Sequence, residues 1–153
     1  MAMMSGCATT AVLDQELAKT NTQTVLAFEE TVFNKHEVGQ AFAHYVGPTF
    51  RQHDPPLPGG RNAAMAAYQN VVTHAYPNSR LNVQRTVAQG NLVAAQGLWE
   101  RDPGRVPTIA EVDIYRLENG RIVEHWNVAQ ERPAQAASAR PGGQRGPGEH
   151  APP

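Results

Sequence analysis

The spacing of apolar residues changes near residue 80, and this change limits the possible folds more than any other feature of the sequence. Before it, apolar side chains recur every three or four residues, as along one face of an α-helix. From Leu81 onward they alternate with polar side chains, which is the period of a half-buried β-strand. Helices followed by a run of strands predict an α+β fold, in which three helices pack on one face of a curved antiparallel sheet.

The first half of the chain is predicted to form the three helices. Asn21 or Thr22 would cap the first, because both side chains can accept a hydrogen bond from a free backbone N–H. The second helix would span residues 37–46, and Asn62 would cap the third. Residues 50–60 separate these two helices and are expected to start extended and to end as a proline-stiffened loop.

The second half is predicted to form four strands, at residues 81–87, 92–100, 109–117 and 122–130. The last two are joined by Glu118-Asn119-Gly120, a sequence typical of a tight β-hairpin turn.

The two ends of the chain differ from this middle part. Residues 133–153 hold Pro or Gly at 9 of 21 positions and no large apolar side chain, so we expect a disordered tail. Residues 1–19 are interpreted as a flexible leader, which leaves residues 20–132 as the folded domain. Within the leader, Ser5-Gly6-Cys7 resembles the end of a bacterial lipoprotein signal, but it lacks the basic and long apolar segments of such a signal. We therefore expect a cytoplasmic protein, with an envelope lipoprotein anchored through Cys7 as the alternative if the true start lies upstream.

Charge and motifs exclude several classes of function. Thirteen basic residues against 14 acidic ones argue against a nucleic-acid partner, which would need a clustered basic surface. No apolar run approaches the ~20 residues that span a membrane. A single cysteine excludes a disulfide framework, and the six histidines show no metal-binding spacing. Nucleotide-binding and hydrolase motifs are also missing, so neither a metal nor another cofactor is expected.

Three stretches, in order, resemble the SnoaL-like polyketide-cyclase branch of the nuclear-transport-factor-2-like superfamily. They are Gln52-His53-Asp54-Pro55 with Gly59 following, Val112-Asp113-Ile114-Tyr115-Arg116-Leu117, and the segment from Gly120 to Val128. The resemblance covers about residues 20–132 and implies a cone-shaped barrel, whose sheet wraps around a long helix and leaves a deep pocket. The superfamily also contains ketosteroid isomerases, limonene epoxide hydrolases and non-catalytic proteins, so the fold alone does not fix the function.

Asp113 is the first candidate catalytic residue. It lies between Val112 and Ile114, so alternation places it on the opposite face of the strand, together with Tyr115. If that face lines a pocket, burial raises the pKa of Asp113 into the range useful for proton transfer. In the SnoaL-like cyclases an aspartate at the like position is the acid/base, and in ketosteroid isomerases the residue resembling Asp113 donates to the oxyanion. The alternative is a solvent-facing carboxylate that pairs with an arginine.

His53 and Asp54 are the second pair of candidates. Asp54 falls where ketosteroid isomerases carry their general base, and a histidine exchanges protons near neutral pH. Adjacent residues of an extended segment point to opposite faces, so at most one of the two reaches a shared pocket. Alternatively, Asp54 caps the proline-rich turn and His53 packs against it.

The remaining candidates would bind substrate. Trp126 is expected to line the pocket, as the corresponding indole does in the related isomerases, although a plain core role is the alternative. The other candidates lie on the same predicted strands: Tyr115, Trp99, Gln96, His125 and Asn127. Two features depart from the family pattern. Asn127 stands where an aspartate is common, and the strand at residues 92–100 has no histidine, although the related cyclases place one there.

Taken together, these residues indicate a cofactor-independent enzyme that acts on a small, largely apolar molecule beside a carbonyl group. Asp113 would be the acid/base or oxyanion donor, and His53 or Asp54 a second proton carrier. The reaction would be an isomerisation, a cyclisation or an aldol-type closure. The alternative is a ligand-binding or dimeric structural module that keeps the cone and lacks the chemistry, which the two departures from the family pattern favour.

The outer face of the sheet predicts a homodimer. Val112, Ile114 and Val123 would face outward, and Val93 and Ala95 could join them. Such an apolar row exceeds what a small monomer usually exposes, and relatives with this fold commonly pair sheet to sheet. The alternative is that the loop at residues 101–107 covers the row.

Overall fold

The computed structural model describes residues 5–55, 57 and 59–132. The predicted disordered tail, residues 133–153, lies outside the described residues. The three helices are α1 (Ser5–Glu29), α2 (Val38–Tyr45) and α3 (Arg61–Gln69). A π-helical turn follows α1 at Glu30–Asn34, and a second follows α3 at Asn70–Ala75. The strands are β1 (Val46–Gln52), β2 (Arg80–Gln89), β3 (Leu92–Glu100), β4 (Ile109–Glu118) and β5 (Arg121–Glu131). The four strands and three helices predicted from periodicity are confirmed.

The predicted helix caps are wrong. The first helix begins at Ser5, so Asn21 and Thr22 lie inside it. The Asn21 side chain instead donates a hydrogen bond to the carbonyl of Gly90, in the turn between β2 and β3, at 3.0 Å. Thr22 bonds back to the carbonyl of Ala18. The third helix is preceded by Gly60, which makes no side-chain cap because it has no side chain.

Residues 5–19, predicted as part of a flexible leader, form the first 15 of the 25 residues of α1. Val12, Leu13 and Leu17 are exposed, so burial of these large apolar side chains does not hold residues 10–19 in the helix. The boundaries of the folded domain at residues 20 and 132 stay predictions. Among the described helices, none is long and apolar enough to cross a membrane.

The sheet is mixed, whereas the sequence predicted an antiparallel one. Its strand order is β1-β5-β4-β3-β2, and β1 pairs parallel to β5 while the other neighbours are antiparallel. The strand β1 contains Pro48, which an edge strand tolerates because one side of it needs no ladder hydrogen bonds. The β4–β5 hairpin turns at Asn119 and Gly120, both with positive φ, as the turn sequence predicted.

The core lies between the inner face of this curved sheet and the helices. Its centre includes Val25 and Phe28 of α1, Phe42 of α2, and Tyr115 of β4, all buried. Phe28 meets both aromatic rings edge to face, with ring centres 5.7 Å from Phe42 and 5.9 Å from Tyr115. Beyond this core, toward α3, the same inner face borders a cavity.

Candidate active site

The cavity has a volume of about 500 Å³ and two distinct ends. Its acidic side chains, together with His125 and Asn127, gather at one end, called here the carboxyl end: Asp54, Glu111, Asp113, His125 and Asn127. Aromatic side chains line the remainder: Phe33, Tyr68, Tyr76 and Trp99. A pocket of this kind, largely apolar with a few convergent polar groups, is typical of a small-molecule site.

Asp113 and His125 form a buried pair at the carboxyl end. The two side chains are 4% and 2% exposed, and His125 Nε2 lies 2.8 Å from Asp113 Oδ1. Asn127 stands directly opposite Asp113 in the β4–β5 register and donates its amide N–H to the same oxygen at 2.9 Å. Both contacts use Oδ1, so Oδ2 is the oxygen left for a ligand in the cavity.

The contacts of Gln52 indicate that Nδ1, the other ring nitrogen of His125, carries a proton. The side-chain oxygen of Gln52 accepts the backbone N–H groups of His53 and Asp54, and it lies 2.9 Å from His125 Nδ1. An amide oxygen only accepts hydrogen bonds, so the hydrogen-bond partners assign a proton to Nδ1. The contact between Nε2 and Asp113 therefore holds one further proton, shared between the imidazole and the carboxyl group.

Glu111 is a third acidic group of the cavity, and the sequence analysis did not identify it. It lies two residues before Asp113 on β4 and therefore on the same face. Burial, followed by the negative charge of Asp113, raises the pKa of Glu111 to about 9. Its carboxyl group is therefore protonated at neutral pH and can donate a hydrogen bond.

Two other carboxyl groups respond to the same environment. Burial, followed by the charge of Asp113, raises the pKa of Glu29 on α1 to about 8. Burial also raises the pKa of Asp54, which the charge of His125 partly offsets. Burial thus raises the pKa of three carboxyl groups in and beside the cavity, an arrangement that suits acid–base chemistry. Among the described residues, no group of His, Cys, Asp or Glu is arranged to hold a metal ion.

A sequence model for the SnoaL-like domain matches residues 25–125, which is about two thirds of the chain. The protein belongs to the SnoaL-like domain family. This match includes all of β4 and the first half of β5, from which Asp113 and His125 project. No curated protein sequence matches the chain.

Solved structures support the same fold. IdmH of Streptomyces antibioticus, described as a candidate polyketide cyclase, is 22% identical with a TM-score of 0.58, over 71% of this chain and 91% of IdmH. A candidate polyketide cyclase of Bacillus cereus is 20% identical with a TM-score of 0.64, over 75% and 77% of the two chains. A candidate SnoaL-like polyketide cyclase of Jannaschia is 17% identical with a TM-score of 0.62, over 74% and 87%. At these identities the likeness shows the fold alone.

In this SnoaL-like domain, five of the nine predicted site residues line the cavity: Asp54, Trp99, Asp113, His125 and Asn127. Tyr115 shares their face but lies in the core behind them, where its ring stacks on His125 with centres 4.8 Å apart. Two of the three predicted acid–base residues, Asp113 and Asp54, thus line one cavity, and their roles stay a proposal.

The other three predicted residues lie outside the cavity. Trp126 is paired with Ile114 on the outer face of the sheet, so its expected placement in the pocket wall is wrong. Its ring stacks on His53, with centres 4.6 Å apart and planes 4° apart, and His53 contacts Glu124 at 2.9 Å. Gln96 is paired with Val112 on the same outer face. As expected from alternation, only one of the neighbours His53 and Asp54 reaches the pocket, and it is Asp54.

Gln52, Glu29, Tyr68 and Arg101 also belong to the site or its support, and the sequence analysis missed them. Glu29 had a signal, because it lies four residues after Val25 and three before Val32 in the apolar stripe of the first helix. Glu111 had one too, since alternation along β4 places it with Asp113. Gln52 and Tyr68 had none, because their partner His125 is distant in sequence.

Proposed function

We propose that this SnoaL-like domain is a cofactor-independent enzyme that moves a proton beside a carbonyl group of a small, largely apolar substrate. The reaction would be an isomerisation, a cyclisation or an aldol-type closure. The observation that carries the proposal is the buried Asp113–His125 pair, held by Asn127 beside a protonated Glu111 in an aromatic-lined cavity.

Asp113 acts as the base in this proposal. Asn127 donates to Oδ1, and His125 Nε2 holds the same oxygen through the shared proton. With that proton on His125, Asp113 is a carboxylate whose Oδ2 accepts a proton from the carbon next to the carbonyl. The same oxygen can return the proton to another carbon of the substrate. Asp54, which also lines the cavity, is the second proton carrier; His53 is not, because it lies on the outer face.

Glu111 acts as the donor to the oxygen on which negative charge develops. A protonated carboxyl group in a cavity shielded from water stabilises an oxyanion more strongly than the same group in water. Because Glu111 and Asp113 are two residues apart on one face of β4, the donor and the base lie on the same side of a bound substrate.

Proton exchange tests the proposal without knowledge of the natural substrate. The probe is 2-tetralone, a bicyclic ketone with acidic C–H groups beside its carbonyl, and NMR in D₂O follows the loss of these protons. We expect the protein to accelerate exchange and the Asp113→Asn variant to lose this acceleration by about 10²-fold or more. The matched control, Asp14→Asn on the exposed surface of α1, should exchange as the unaltered protein does. Equal rates for Asp113→Asn and the unaltered protein would contradict the proposal.

The second candidate function is a non-catalytic ligand-binding or dimeric structural module. Two observations favour it: β3 carries no histidine, and Asn127 uses its amide to hold Asp113 where an aspartate is common in the family. The same experiment separates the two functions. A binding module would shift the tetralone resonances on binding but leave their exchange rate at the background value.

A further inference from the structure

Arg101 lies at the end of the cavity opposite the carboxyl end, just after β3. Its side chain is 16% exposed, and its guanidinium group lies over the ring of Tyr76, 5.5 Å from the ring centre. Nη2 donates to the carbonyl of Pro107 at 3.2 Å and to Glu131 at 2.9 Å. These contacts hold the cation at the cavity wall through a single nitrogen.

Two hydrogen-bond donors at this end have no acceptor within the described part of the chain. They are Nε of Arg101 and Nε1 of Trp99, and both atoms are buried. Both residues line the cavity. Buried donors in proteins are nearly always paired, and a ligand bound at this end of the cavity can supply the missing acceptor. We call Trp99 and Arg101 the donor end.

The two ends are far enough apart to bind opposite ends of one molecule. Trp99 is paired with Ile109, and Asp113 lies four residues further along β4, which corresponds to about 13 Å at the rise of a strand. Rings of Phe33 and Tyr76 each meet Trp99 edge to face, with centres 5.7 and 5.9 Å away. The wall near the donor end therefore suits a flat ring system.

Charge sets the direction in which such a molecule binds. At the carboxyl end the carboxyl groups of Asp54 and Asp113 disfavour a further carboxylate, whereas Glu111 is protonated and carries no charge there. Arg101 is the only Lys or Arg among the described residues that line the cavity. A guanidinium group donates charge-assisted hydrogen bonds to a carboxylate. Because Nη2 of Arg101 is taken by the two acceptors described above, a carboxylate would be held by Nε–H of Arg101 together with Nε1–H of Trp99.

We propose that the substrate is a ring compound bearing a carboxylate, which binds Arg101 at the donor end and places its reactive carbonyl at Asp113. This inference rests on the proposed function for the role of Asp113, but the recognition of the carboxylate by Arg101 is a separate property. It can hold in a protein that binds the ligand and does not transform it.

Calorimetric binding of two matched probes tests the inference. The first probe is 6-acetyl-2-naphthoate, and the second is 6-acetyl-2-naphthamide, which has the same rings and ketone but no charge. We expect the naphthoate to bind about tenfold more tightly than the amide to the unaltered protein. Arg101→Gln should bring the two affinities together. The control Arg105→Gln removes an 83% exposed arginine of the same loop and should keep the preference.

Three outcomes overturn the inference: equal affinities in the unaltered protein, no binding of either probe, or a preference that survives in Arg101→Gln. If Arg101→Gln does not fold, Arg101→Lys keeps a positive charge but lacks the Nε–H donor and should lose part of the preference. Trp99→Phe should weaken the naphthoate because it removes Nε1. The preference should persist in Asp113→Asn, so that failure of proton exchange and failure of carboxylate recognition are distinguished.

Discussion

At the scale of single residues, Glu29 makes the stability of the fold depend on pH. Its pKa rises from 4.5 in the unfolded chain to about 8 in the folded one. Between these values the folded state holds a proton that the unfolded state has released, so the free energy of unfolding falls as the pH rises. The shift corresponds to roughly 3–5 kcal/mol for Glu29 alone.

We therefore expect Glu29→Gln to flatten the decline in stability between pH 5 and pH 8. Urea unfolding at several pH values measures how steeply the free energy of unfolding falls with pH. A loss of stability that the new amide causes equally at every pH does not change this slope. Part of the decline should remain, because Glu111 acts in the same direction. Glu16→Gln, an exposed position of α1, is the control and should keep the full slope. An unchanged slope in Glu29→Gln would show that Glu29 is ionised in the folded protein.

Glu111 predicts the alkaline limit of the proposed reaction. Its pKa is raised to about 9, so the donor to the oxyanion is present below this pH and is lost above it. Tetralone exchange, after subtraction of the hydroxide-catalysed background, should decrease through about pH 9. In Glu111→Gln the amide remains neutral at all these pH values, so the exchange should be slower and this decrease should vanish. If the exchange rate of Glu111→Gln still decreases through about pH 9, the decrease is caused by the titration of a group other than Glu111.

Alternation along a strand predicted which site residues share a face, but not which face borders the cavity. It grouped Asp113 with Tyr115, and it separated His125 and Asn127 from Trp126. The choice of Trp126 as a pocket residue followed the resemblance to the isomerases. In this chain the indole instead has His53 to stack on, outside the pocket. Such a partner lies 73 residues away in sequence and leaves no local signal.

At the scale of elements, local patterns predicted the strands of the antiparallel part, because alternation and hairpin turns are properties of neighbouring residues. The strand β1 was not predicted, since its parallel pairing with β5 joins segments about 75 residues apart. The early start of α1 was missed for a different reason. The prediction relied on a buried apolar stripe, whereas Val12 and Leu13 are helical and exposed.

Gly97 of β3 marks a close approach between two strands. It is paired with Val83 next to the irregular register of β2, and a Cβ atom there would lie 2.8 Å from Leu81 Cδ1 and 3.2 Å from the carbonyl of Asn82. Leu81 is buried, so it has little room to move. We expect Gly97→Ala to reduce the free energy of unfolding by about 1–3 kcal/mol.

Urea unfolding measures this loss, and Gly39→Ala is the control. Gly39 is an exposed residue of α2 whose added Cβ would meet nothing within 4 Å, so alanine there should stabilise the helix by up to about 1 kcal/mol. Equal stability of Gly97→Ala and the unaltered protein would show that β2 and β3 separate easily at this point.

At the scale of the whole molecule, the outer face of the sheet remains the proposed dimer interface, with a corrected set of residues. Val93 and Ala95 lie in the core, so the expectation that they join this face is wrong. Val123 is buried beside β1, next to Gly47. The apolar row of the outer face is instead formed by half-buried or exposed side chains of four strands: Val87, Leu98, Val112, Ile114, Trp126 and Val128.

This row supports a homodimer in which two sheets pack face to face. Val87 on the edge strand β2 and Val128 on β5 are 73% and 71% exposed, which is unusual for valines of one sheet in a small protein. The loop at residues 101–107 was the alternative cover. Arg101 of this loop contacts Tyr76 and Glu131 at the cavity, so this residue does not lie over the apolar row of the outer face.

Light scattering at micromolar concentration tests the dimer. We expect about twice the 16.6 kDa of the chain, and a mass near 16.6 kDa would exclude the dimer. Ile114→Lys should give the monomer, because it places a charge on each side of the two-fold interface. Leu13→Lys changes an exposed leucine of α1 and should leave the dimer intact. If Leu13→Lys separates the protomers and Ile114→Lys does not, the interface lies on the helix, and the sheet face is free.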